Sequence, residues 1–236
     1  FRSLKGRWVM KAANDFAVEK QVEVLRSFFP KLKEATFDES ITLQPLPEYA
    51  DLWVAFPRWQ AIAGNYTKAV KRVIELLRQK AEKGGLSFYD NYGDKKDSRG
   101  FKGHKLYRHK WAADRFQLLT EQQKGHDILI AAVNFLTYRS RNARYTRLHC
   151  PTNAFGLGAF EVGAAILALY PEYFSEQQGM YTILCCGDRE QGDEILYVPE
   201  FHLERGRYVA FYQEDLLETS FFCTYFGSAL AFLPVS

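Results

Sequence analysis

"DILIAAVNFLTYRSR", residues 127–141, decides how the fold of this chain is read. Gly125 separates it from "WAADRFQLLTEQQK" (111–124), and the two stretches read as consecutive helices. In the second, Ile128, Ala132, Phe135 and Leu136 are the expected buried positions, on a helix-like spacing. An antiparallel hairpin of these two helices brings the segments at their far ends, 95–111 and 139–147, to one end of the molecule.

Moving outward, "NDFAVEKQVEVLRSFF" (14–29) predicts a helix with Asn14 or Asp15 as cap and Pro30 as stop. Residues 43–47, "LQPLP", read as a linker because of their two prolines. "NYTKAVKRVIELLRQKAEKGG" (65–85) is the clearest helix. Asn65 or Thr67 caps it, Ala69, Val70, Val73, Ile74 and Leu77 form its apolar stripe, and Gly84 and Gly85 stop it. "FEVGAAILALYPEYF" is a further apolar helix ended by Pro171.

After Gly179 the runs "MYTILCC", "DEILYVPEF", "RYVAFYQ" and "SFFCTYFGSALAFL" are short and rich in β-branched and aromatic residues. They predict an antiparallel sheet of three or four strands, with "GDREQGD" (187–193) as a hairpin loop. A single buried helix over 215–232 is the alternative for the last run, since periodicity does not arbitrate so short an apolar stretch. The expected fold class is therefore α+β, mainly helical through about residue 175 with a small antiparallel sheet at the C-terminus. An all-α fold is the alternative.

One stretch resembles a known repeat. "GNYTKAVKRVIELL" is similar to the second helix of a tetratricopeptide repeat, with Gly64, Tyr66, Ala69 and Leu76 near the expected places and Trp53 eleven residues before Gly64. The match covers about 25 of 236 residues and departs from the pattern at Pro57. It has no second copy 34 residues away, so it implies a local helical hairpin and no solenoid.

The composition is that of an ordinary globular chain, 47% hydrophobic and 25% charged. Its net charge of +3 conceals a division. Residues 161–236 contain 12 Asp or Glu, three Arg and no Lys, whereas residues 1–160 carry 28 Lys or Arg against 16 acids. The expected organisation is a basic, mainly helical region (1–175) and an acidic, Lys-free, β-rich region (176–236), as two units or one domain. The four cysteines form no CxxC pair, and Cys185 and Cys186 are adjacent. They read as reduced, which points to an intracellular or organellar compartment, with a removed targeting peptide invisible in a chain that begins at Phe1. The charge-free run 219–236 has 18 residues and is short for a bilayer span, so a membrane partner is not expected.

Catalytic and metal signatures are weak. In "FGLGAFEVG", Glu161 stands where a dinucleotide fingerprint has its third glycine, and an acid there repels pyrophosphate. Cys150 is the one thiol considered as a nucleophile, with His109, His126 or His202 as a base reached through the fold. Asp188, Glu190, Asp193 and Glu194 lack a calcium-loop pattern, and the histidines lack metal spacing. No cofactor or metal is expected.

Charge with aromatics is the strongest signal. "YDNYGDKKDSRGFKGHKLYRHKW" (89–111) holds seven Lys or Arg and five aromatics, and all three of its Asp precede Arg99. No acid occurs between residues 128 and 160. The candidate binding patch is Arg99, Lys102, Lys105, Tyr107, Arg108, Lys110 and Trp111 with Arg139, Arg141, Arg144 and Arg147. Cations attract phosphate and aromatic faces stack on unpaired bases, so the patch suits RNA or single-stranded DNA. The same residue types are enriched in protein interfaces. With no catalytic constellation and two oppositely charged halves, the leading expectation is a non-enzymatic interaction protein, a subunit or adaptor that meets protein partners or its own copies. Single-stranded nucleic-acid binding is the alternative, and an unrecognised enzyme comes third.

Overall fold

The computed structural model describes residues 16–90, 101, 105–137, 141–171, 173–175, 180–190, 197–204, 207–215 and 225–234. Among them, eight strands form one mixed sheet. This overturns the expectation of a mainly helical chain with a small antiparallel sheet, and the all-α alternative with it. The protein is a mixed α/β fold.

The decisive stretch is a strand. β4 (Ile128–Thr137) lies beside β1 (Leu52–Pro57) on one flank and β10 (Tyr225–Phe232) on the other, antiparallel to both. Residues 128–133 are all fully buried, so neither face meets water and no two-residue alternation is written into the sequence. A strand of this kind differs from a buried helix in length and β-branching rather than in period. The anticipated hairpin of two helices is therefore α4 (Lys110–Gln122) followed by a strand, with the reversal made at Gly125, whose φ is +94°.

Beyond β10 the sheet continues through β6 (Met180–Leu184), β8 (Tyr197–Glu204) and β9 (Tyr208–Asp215) to β2 (Ser87–Asp90). β10 runs parallel to β6, and β2 parallel to β9. The short β5 (Ala154–Gly156) also pairs with β10. The C-terminal strands predicted after Gly179 are present, but as part of this larger sheet, and Tyr225–Phe232 is strand rather than helix, while residues 216–224 lie outside the described residues. The division at residue 175 does not coincide with a break in the sheet, which takes strands from both sides of it. Trp53 sits in β1, so the tetratricopeptide-like helical hairpin is not formed, although its second helix is.

α1 (Val18–Phe28), α3 (Tyr66–Lys83) and α6 (Ala159–Leu169) pack on one face of the sheet. Asn65 caps α3 by accepting from Lys68 N at 2.9 Å. α6 is apolar on all sides except at Glu161, as a fully enclosed helix must be. Gly163 lets α3 cross it closely, since a Cβ there would fall 2.3 Å from Val73 Cγ1. Lys80 Nζ reaches the carbonyls of Leu167 and Tyr170 and closes the C-terminal end of α6.

Two buried glutamines finish the sheet where strands are missing. Gln21 Oε1 accepts from Ala55 N (2.9 Å) and its Nε2 donates to Trp53 O (2.9 Å), capping the outer edge of β1. Gln123 Oε1 accepts from Ile130 N (2.8 Å) and its Nε2 donates to Ile130 O (2.7 Å), past the end of the β10 register. Among the described residues, no helix is long and apolar enough to cross a membrane.

Candidate functional site

The described parts of both basic segments meet at one place, the stretch Cys185–Glu190. β3 (Leu106–Arg108) pairs antiparallel with β7 (Asp188–Glu190), setting Arg108 opposite Asp188. Asp188–Glu190 was expected in a hairpin loop, and its pairing with β3 makes it strand. His109 N donates to Gly187 O at 2.8 Å. From the other side comes α5 (Ala143–His149), capped by Asn142 Oδ1 accepting from Tyr145 N. Its Arg147 donates from Nε to Cys186 O (3.0 Å) and from Nη2 to Asp188 O (2.6 Å). Trp111 and Ala143 border the same small apolar cluster with Cys186 and Leu184. β3 and α5 are thus brought to β7 by strand pairing and main-chain hydrogen bonds, and no helical hairpin is involved.

Beneath these segments lies a buried ionic network. Arg108 pairs with Glu161, and its guanidinium lies 4.0 Å over the Phe116 ring and 5.3 Å over Tyr66. Tyr66 donates its phenolic proton to Asp188, with Oη 2.8 Å and 2.9 Å from the two carboxylate oxygens. Asp188 Oδ2 accepts from Ala159 N (2.7 Å), and Glu161 Oε2 accepts from Gly158 N (3.2 Å). Both carboxyl groups are fully buried at the N-terminal end of α6, where the helix dipole favours negative charge. Gly158 makes this possible, because a Cβ there would lie 2.2 Å from both Asp188 Oδ1 and Tyr66 Oη. The Gly-rich turn, which Glu161 sets apart from a dinucleotide fingerprint, therefore holds the protein's own carboxylates.

Burial dominates the proton affinities. It pushes the Asp188 carboxyl up to about 7, with Arg108 opposing and Glu161 reinforcing the rise. It raises Tyr66 well above the ordinary phenol value, helped by Asp188, so the phenol stays a donor. For Arg108 burial works against the charge, but Glu161, Tyr66 and Asp188 outweigh it and hold the guanidinium protonated. Arg147 is lowered by burial, partly offset by Cys186 and Asp188.

The predicted patch divides accordingly. Arg108 and Arg147 turn inward, and Trp111 is half-buried against the second apolar cluster. Lys105, Tyr107, Lys110, Arg141 and Arg144 are exposed. Arg99, Lys102 and Arg139 lie outside the described residues. The outer side of α5 is an ordered ladder: Arg141 lies 5.1 Å over the Tyr145 ring, and Tyr145 stacks on His149 with centroids 3.9 Å apart. Leu148, 72% exposed, stands in the same turn.

The thiol proposal finds no support. Burial, reinforced by Cys186, pushes the Cys150 thiol up to about 12, the opposite of an activated nucleophile. His126 is engaged with Thr36 Oγ1 (2.9 Å) and His202 with Glu200 (2.6 Å). Cys150, Cys185 and Cys186 are free thiols, and Cys223, Asp193 and Glu194 lie outside the described residues. Among the described residues, no three His, Cys, Asp or Glu side chains group as metal ligands.

Tyr66, Glu161 and Asp188 were not singled out as a unit by sequence reasoning. The signal for Glu161 was available: a single acid inside "GLGAFEVGAAILAL" needs a buried partner, and a Glu three residues after a helix start is half of a capping box. Comparison with protein-family models, with curated proteins and with solved structures found no match.

Proposed function

We propose that this chain is a non-enzymatic interaction protein, a subunit or adaptor that grips an acidic protein surface through the outer side of α5 and the adjacent start of α4. The observation that carries this is the inward turn of Arg108 and Arg147. With these two cations consumed by the interior, the exposed set is Arg141, Arg144, Leu148, His149, Lys105, Tyr107 and Lys110, with Tyr145 half-buried beside them. Arginine and tyrosine are the residue types enriched in interface cores, and the exposed Leu148 adds apolar area beside them that a phosphate does not use. The buried network supports the reading by fixing the base of α5 against β7, so the surface is held in shape before a partner arrives.

The Arg141–Tyr145–His149 ladder favours one second reading, single-stranded nucleic acid, because stacked rings beside guanidinium groups also receive bases. Two measurements separate them. In affinity capture after nuclease treatment, the full chain retains protein partners that an Arg141→Ala, Arg144→Ala, Leu148→Ala triple variant does not. Retention of the same partners by the triple variant refutes the proposal, as does strictly monomeric wild type with nothing captured. Labelled single-stranded RNA and DNA are titrated at about 50 and about 200 mM salt. Salt-steep binding lost in the triple variant transfers the function to nucleic acid.

A further inference from the structure

Between α1, α3 and the C-terminal end of α6 the surface opens into a cavity of about 230 Å³. Phe16, Val24, Ala168 and Leu169 give it apolar walls, and Lys20 and Lys80 bring two ammonium groups to it. Gln21 completes the lining, and no acid is part of it. None of these residues belongs to α4 or α5. The chain ahead of Phe16, residues 1–15, holds four Lys or Arg and one Asp, the wrong charge for this cavity.

The protein's own contacts hold the walls in place. Gln21 Nε2 donates to Phe16 O (2.8 Å), and the Phe16 ring stands edge-on to Tyr173 with centroids 5.4 Å apart. Walls fixed in this way lose little freedom on binding. Lys80 Nζ donates to Leu167 O (2.7 Å) and to Tyr170 O. Its full charge exceeds the roughly half-charge of the helix end that it covers. The end of α6 therefore turns a net positive floor to the cavity, where bare carbonyls would repel an anion. Lys20 is exposed, and Phe16, Val24 and Ala168 are only half-buried, so apolar area stays open beside the cations.

Apolar walls, two cations and no acid select an amphipathic anion. The volume falls below the roughly 300–1,000 Å³ of sites for drug-sized ligands, so the ligand is small. The groups that grip phosphate, Arg forks and the N–H groups of a helix N-terminus, are not in the lining. A single carboxylate needs neither. The geometry points to a binding site for a medium-chain fatty carboxylate, its chain along Phe16, Val24, Ala168 and Leu169 and its carboxylate toward Lys20, in the field of Lys80. The site does not use α5, so its failure and that of the function proposed above are separate.

The test titrates decanoate into the isotope-labelled full chain and follows the amide NMR signals of Val24, Ala168 and Leu169. They shift saturably, with a Kd of about 0.1 mM or tighter. Ala168→Trp, which fills the cavity from α6, abolishes the shifts, and Val24→Phe, which fills it from α1, weakens binding. Lys20→Gln lowers affinity about threefold to fivefold, the range of an exposed ion pair. Decanol, the same chain without the charge, binds more weakly than decanoate by a similar factor, and Arg144→Ala changes nothing. Thermal melts verify that the variants remain folded. No saturable shift at these amides by about 1 mM decanoate, a level that already allows for weak binding, overturns the inference. Undiminished binding by both filling variants overturns it, and so does equal affinity for decanoate and decanol.

Discussion

Among the described residues, two regions bury polar groups by contrasting chemistries. At β1 and β4, neutral side-chain amides of Gln21 and Gln123 satisfy main-chain groups. At the N-terminal end of α6, charges are buried together: Arg108 with Glu161, and Asp188 under the phenol of Tyr66. An amide can complete a sheet because it carries a donor and an acceptor at the spacing of a peptide group, and it does not titrate. An ionic network joins elements that approach from several directions, here α3, α6, β3 and β7, and leaves the joint dependent on pH. The neutral device sits where the architecture is finished. The charged one sits where the exposed basic surface is mounted.

The largest effect expected from breaking this contrast is at Arg108. Arg108→Ala leaves Glu161 charged and buried without its partner, at a cost of about 3–5 kcal/mol in chemical denaturation. The double variant Arg108→Met, Glu161→Gln recovers most of that loss, because the cost lies in the stranded charge more than in the absent attraction. Gln123→Ala is next. It strips both main-chain groups of Ile130 of their partners and costs about 2–4 kcal/mol. That loss is the same from pH 5 to 8, since no titrating group is involved. If the Gln123→Ala loss varies with pH over that range, the distinction between the two devices fails.

Asp188 sharpens the comparison. Folded, its carboxyl takes up a proton near pH 7, and in the unfolded chain near 3.8. Between these values the folded state holds one proton more than the unfolded state. The stability contributed by this group is therefore complete below about 4, falls as pH rises through the window, and is gone above about 7. The slope is on the order of 1 kcal/mol per pH unit. Asp188→Asn keeps an acceptor for Ala159 N and removes the titrating group. Denaturation midpoints measured from pH 5 to 8 fall with pH for the wild type and fall less steeply for Asp188→Asn. Parallel curves refute the assignment.

Legibility followed exposure. α3 was read correctly because its apolar stripe is one-sided and its cap and stop are written as Asn65 and Gly84–Gly85. β4 was misread because burial on both faces erases alternation, leaving only β-branching and the Gly125 turn to mark it. β1 was misread with it, since Trp53 was fitted to a helical repeat while its register against Ala132 is a long-range property. The basic segments were legible as charge but not as structure: nothing local distinguishes Arg108 and Arg147, which turn inward, from Arg141 and Arg144, which do not. That distinction rests on Glu161 and Asp188, dozens of residues away. "LQPLP" was read as a linker, and it runs from the end of a short 3-10 helix over Glu39–Leu43 into a turn before β1.

The smallest expected effect on stability is at Arg144, and it bears most directly on the proposed function. Arg144 is exposed on α5 and is neither in the buried network nor in the Arg141–Tyr145–His149 stack. Arg144→Ala changes the denaturation midpoint by no more than about 0.5 kcal/mol, as expected of a solvated side chain. The same substitution weakens capture of an acidic partner, chiefly by slowing association in low salt, because an exposed rim charge acts on encounter more than on residence. Arg147→Ala, one turn away in sequence, does the reverse. It releases the carbonyls of Cys186 and Asp188, costs about 1–3 kcal/mol of stability, and loosens the seat of α5. Surface plasmon resonance of the two variants at low and moderate salt distinguishes them: a change in association rate alone for Arg144, and a faster dissociation for Arg147. Identical kinetic signatures at the two positions mean that α5 does not separate a contacting face from an anchoring one.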